Sequence, residues 1–62
     1  MSEKTLFKRQ LAQETFDRFC WSKSIDKNDI LKKLYRAGFA RMEAARAVEW
    51  IEKQVKKAYT EG

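Results

Sequence analysis

A single glycine, Gly38, separates two apolar-periodic runs in the second half of the chain, and no proline occurs anywhere. The stretch from Ile30 to Tyr59 therefore reads as helix, turn, helix. Ile30, Leu31 and Leu34 recur at helical spacing before the glycine. After it, Ala44, Ala47, Val48, Ile51, Val55 and Ala58 form a second apolar stripe. A glycine one residue past the last helical position takes the left-handed conformation at little cost. Phe39 then falls where a Schellman turn wants an apolar contact back to Leu34. The small side chains of the second stripe come first, nearest the turn, which lets two helix backbones approach closely.

The first half supplies a partner for this hairpin. Leu11, Thr15 and Phe19, with Ala12 and Phe16, share one broad side at helical spacing, and Phe7 lies at its edge. Thr5 reads as the cap of this helix, with Ser2 and Glu3 as alternatives. Phe16 and Phe19 are expected in the core, Cys20 on its flank as a small hydrophobe, and Trp21 as a lid over one end. In the connection that follows, Asp26 is the better cap for a second helix and Ser24 the rival. Asp29 complements the positive helix start, and Ile25 and Ile30 occupy the two positions of a hydrophobic staple. Tyr35 falls one turn above Leu31. The expected architecture is all-α: a small three-helix bundle (about 5–21, 26–37 and 41–59) with a C-terminal helical hairpin, forming a single domain over residues 1–62.

Only about 60% of the surface of so short a chain can be buried. Even so, 44% hydrophobic residues and eight aromatics argue for a compact core despite 37% charged residues. With no histidine and one cysteine, neither a metal site nor a disulfide framework is expected, and no cofactor is implied. The free thiol and the absence of a secretory pattern or membrane span point to the cytoplasm. Acid–base catalysis wants a titratable group held near neutral pH. The candidates here are scattered surface carboxylates, Glu43, Glu49 and Glu52, and no glycine-rich phosphate loop exists. The chain reads as a non-enzyme.

The net charge of +5 is unevenly spread. Residues 1–31 hold six Lys/Arg against five Asp/Glu, and residues 32–62 hold eight against four. The basic hairpin favours an anionic partner, either nucleic acid or an acidic protein surface, although +5 is also ordinary for a solvated small domain. Two groups of candidate binding residues follow. Lys32, Lys33 and Arg36 lie on the second helix and are joined by Arg41 at the start of the third. Trp50 lies away from the Val48–Ile51–Val55 stripe and shares its side with Arg46, Lys53 and Lys57. An exposed indole framed by cations can stack on a base while the cations meet phosphates. The structural alternative packs Trp50 against the first helix or the amino-terminal arm. Glu49–Lys53 and Glu52–Lys56 are expected as i,i+4 ion pairs.

A helix–turn–helix DNA reader would place the start of the third helix in the major groove. Here that start offers Ala40, Arg41, Met42 and Ala45, and Leu34 stands where such motifs need a small residue. Phosphate contact is the better-supported mode. Ala37-Gly38-Phe39, followed by Ala44 and Ala47-Val48, resembles the Met-Gly-Phe pattern of ubiquitin-associated three-helix domains. Leu34 to Ile51 is also similar to the helical repeat of the RecX regulators of recombinase filaments. Ala37 replaces the methionine, and no break near residue 50 starts a short final helix. What the resemblance implies is therefore a compact helical module that binds another macromolecule.

The expectation from sequence is a small regulatory or accessory protein of bacterial or phage type, monomeric or homodimeric, binding nucleic acid or a nucleoprotein without entering a membrane. Its rival is a protein–protein module, with a hetero-partner or a second copy, in which Trp50, Tyr59 and Met42 form an apolar patch.

Overall fold

In the computed structural model, which describes residues 2–61, three helices follow one another: α1 (Glu3–Ser22), α2 (Lys27–Arg36) and α3 (Arg41–Glu61). No strand occurs among the described residues. Helix α3 is the centre of the arrangement. Both α1 and α2 pack chiefly on it, giving a slab of 30 × 25 × 15 Å.

Helix α1 begins two residues earlier than the periodicity predicts, because Ser2 rather than Thr5 caps it. The Ser2 hydroxyl accepts from the Thr5 backbone N–H at 3.2 Å, satisfying one of the orphan donors of the first turn. Along the helix, the Thr15 hydroxyl donates to the Leu11 carbonyl at 2.7 Å, which lets a polar side chain be buried without an unmet hydrogen bond. The far end has no glycine. Lys23 itself adopts the left-handed conformation (φ 59°), and its N–H closes the helix on the Phe19 carbonyl at 2.8 Å.

Asp26 caps α2 as expected, its carboxylate accepting from the Asp29 N–H at 3.2 Å. Ile25 packs on the cluster that contains Ile30, as a staple should. At the other end Gly38 (φ 94°) makes the predicted Schellman turn. The Phe39 N–H reaches the Leu34 carbonyl and the Gly38 N–H the Tyr35 carbonyl, each at 3.1 Å. Leu34 and Phe39 are both buried in the core cluster. Helix α3 then starts on half of a capping box: Glu43 reaches back to accept from the Ala40 N–H at 3.2 Å. It continues to Glu61, two residues beyond the expected end.

Leu11, Ile30, Leu34, Phe39, Ala44, Ala47, Val48, Ile51 and Val55 make up the buried core, with Phe7, Ala12, Phe16, Phe19, Ile25, Leu31 and Trp50 packed around it. Three expectations are corrected. Trp21 is no lid: it is 88% exposed. Two residues turn a helix by about 200°, so with Phe19 against α3 the indole must point outward. Cys20 is likewise exposed rather than tucked into the flank. Ala58 is exposed as well, because at that turn the contact with α1 passes to Tyr59, whose ring meets Phe19 edge-on at 5.1 Å.

Candidate nucleic-acid interface

The outer side of α3 carries Arg46, Trp50, Lys53 and Lys57 at successive spacings of four, three and four. At 1.5 Å per residue they form a line about 16 Å long. Arg46, Lys53 and Lys57 are exposed. Arg46, Trp50 and Lys53 border one shallow groove together with Glu49, Glu52 and Lys56, and Lys57 continues the line one turn on.

Trp50 is not the free platform its position on the helix suggests. Its indole is partly buried and packs on the core, so the alternative read from sequence holds in large part. The reason is that α1 crosses beside it. Lys8 of α1 places its ammonium 4.7 Å from the Trp50 ring centroid, a cation–π contact. One turn earlier Lys4 pairs with Glu43 at 3.3 Å and sits 5.4 Å above the Phe39 ring. Lys4, Lys8, Arg46 and Trp50 thus border a second groove, between α1 and α3. Sequence reasoning missed Lys4 and Lys8. Their i,i+4 spacing, on the side that continues to Leu11 and Thr15, is the signal that places them at the edge of the buried face.

The cations of α2 belong elsewhere. Lys33 and Arg36 face a groove between α1 and α2, opposite Phe7, Leu11 and Glu14. Lys33 is also neutralised by Asp29 at 3.2 Å, a carboxylate that Arg18 approaches at 3.5 Å. Lys32 and Arg41 are exposed and border none of these grooves. The eight candidates therefore divide into the α3 line of Arg46, Trp50, Lys53 and Lys57, the pair Lys33 and Arg36 beside α1, and Lys32 and Arg41, which join neither.

Pairing sharpens the contrast. Lys27 and Lys56 hold Glu52, at 3.2 and 3.0 Å, and Lys4 holds Glu43. The expected Glu49–Lys53 pair is not formed. Among the described residues, Lys32, Arg36, Arg41, Arg46, Lys53 and Lys57 have no carboxylate within 4.0 Å. The Met42–Trp50–Tyr59 patch of the rival reading does not assemble, since Met42 and Tyr59 stand about 25 Å apart along the α3 axis.

The Ala40 N–H, and then Lys4, hold the Glu43 carboxyl below its ordinary value of 4.5. Lys56 and Lys27, by hydrogen bonding, do the same for Glu52. A carboxylate whose pKa is lower in the folded than in the unfolded chain contributes stability above the unfolded value. That contribution disappears as pH falls through the folded value. The melting temperature is therefore expected to be flat near neutrality and to fall below about pH 4.5. Glu43→Gln should flatten part of that fall in a pH series of thermal melts, and an unchanged slope would exclude Glu43 as a contributor.

No group of three or more acidic, cysteine or histidine side chains able to hold a metal occurs among the described residues. No helix there is long and apolar enough to cross a membrane. No family model, curated protein or solved structure matches the chain.

Proposed function

We propose that this is a small non-enzymatic regulatory or accessory protein, of bacterial or phage type, that binds nucleic acid or a nucleoprotein through the outer face of α3. One observation carries the reading: among the described residues, Arg46, Lys53 and Lys57 form a line of exposed cations with no carboxylate within 4.0 Å, while Glu43 and Glu52 are engaged by other lysines and Glu49 is the one unpaired carboxylate bordering the groove. Cations in such a line exchange counterions for phosphates, which gives affinity without sequence preference. Lys32, Arg36 and Arg41 offer a second, separate set of phosphate contacts. The exposed Cys20 thiol suits the reducing cytoplasm.

Binding of labelled DNA and RNA, titrated at several salt concentrations, tests this. Each phosphate neutralised on B-DNA contributes about −0.9 to the slope of log K against log salt, so three contacts give roughly −2.7. The triple variant Arg46→Gln, Lys53→Gln, Lys57→Gln should lose most of that slope while keeping its helical circular dichroism. Absence of binding at low salt, or affinity indifferent to salt, would sink the proposal.

A second reading, as a protein–protein module, is favoured by Trp21, because an indole 88% exposed has the character of a partner anchor. Salt-indifferent capture of a protein partner, abolished by Trp21→Ala, would distinguish it.

A further inference from the structure

We infer that the α3 face reads the phosphate backbone of duplex nucleic acid and does not stack single-stranded bases. The inference rests on the nucleic-acid reading above and specifies its ligand. Proteins that hold single strands draw much of their affinity from bases stacked on aromatic faces set among cations. Trp50 is the aromatic side chain in the α3 line, and it is already engaged. Its indole packs on the core, and the Lys8 ammonium lies 4.7 Å over its ring. A base seated on that face would first have to displace the ammonium and give up its cation–π contact. Tyr59, further along α3, is similarly occupied: the Lys23 ammonium stands 4.4 Å over its ring and Phe19 meets it edge-on. Each of the two aromatic rings of α3 thus carries a lysine ammonium of the α1 side over its face, Trp50 being partly buried as well and Tyr59 remaining 44% exposed.

What the α3 line chiefly offers a ligand is charge, held on one continuous helix. A surface of that kind gains most where phosphates are densest. Duplex DNA presents a charge about every 1.7 Å of axis, against about 3.4 Å for one of its strands. Over the roughly 16 Å from Arg46 to Lys57, a duplex therefore offers about twice as many charges as a strand. The lysine caps on Trp50 and Tyr59 accordingly act as a selectivity device: they keep the cationic face from acquiring a base-stacking mode.

Trp21→Phe, at an exposed position, leaves Trp50 as the only indole and makes its emission a local reporter. Titrating this variant at low salt with a duplex and with a single strand of equal length gives two readouts, affinity and Trp50 quenching. The expected result is duplex binding at least about tenfold tighter, with a salt slope near −0.9 per contact and little change in Trp50 emission. Single-strand binding that is equal or tighter, or strong quenching of Trp50 by either ligand, overturns the duplex inference while leaving the nucleic-acid reading intact. Failure to bind either ligand overturns both. Since Trp21 itself is an open aromatic, the same titration on the unmodified chain is included. A single-strand preference present there and lost in Trp21→Phe also overturns the inference.

Discussion

Truncating Ile51 to alanine is expected to cost about 2–5 kcal/mol, the range for deleting a large aliphatic side chain from a packed interior. Ile51 has no exposed surface and sits in α3 within the cluster that joins all three helices. Natural domains hold roughly 0.05–0.15 kcal/mol per residue, which for this chain amounts to about 3–9 kcal/mol. The loss is therefore comparable with the whole stability, and urea titration should show a midpoint moved close to zero or no cooperative transition at all. Ile51→Val removes one methyl group and should cost only about 0.5–1.5 kcal/mol. If alanine at position 51 shifted the midpoint no more than alanine at exposed position 57, the core described above would be wrong.

The second large effect is expected at Gly38. A Cβ there would meet nothing within 4 Å, so space is not the obstacle. The obstacle is the backbone itself, at φ 94°, where an L side chain collides with its own carbonyls. Alanine should cost about 1–2 kcal/mol, valine more because its branched Cβ tolerates the region least, and asparagine less. This ordering separates conformational strain from packing: a clash would instead rank the three substitutions by volume. Equal costs for valine and asparagine would refute the left-handed turn.

These two positions also mark how much the sequence discloses. Gly38, Leu34 and Phe39 were legible because a positive φ leaves few acceptable residues, and because the Schellman bonds fix where the apolar contact must fall. Asp26 was legible for a similar reason, since a carboxylate before a helix has one obvious donor to meet. Lys23 was not. Nothing in its chemistry prefers the left-handed region, and the Phe19 carbonyl and the Tyr59 ring meet it only in the folded chain. The candidate site was half legible. Helical spacing correctly aligned Arg46, Trp50, Lys53 and Lys57, but an angle on one helix does not reveal what crosses beside it. That crossing is why Trp50 is partly covered, why Lys8 borders the same groove, and why the cations of α2 lie apart from it. Trp21 failed for the opposite reason: its size suggested burial, while two residues of helical rotation from Phe19 had already turned it outward.

Helix α3 spends two of its sides on α1 and α2 and leaves one side to solvent. The residues that hold the fold and the residues that would meet a ligand are thereby distributed over different angles of the same rod. Substitutions at the exposed Arg46, Lys53 or Lys57 break no ion pair and remove no member of the buried core, so each should change stability by no more than about 0.5 kcal/mol. Scaffold and contact surface can then diverge independently. Affinity can be raised, lowered or redirected one side chain at a time in a chain too small to tolerate much loss from its interior.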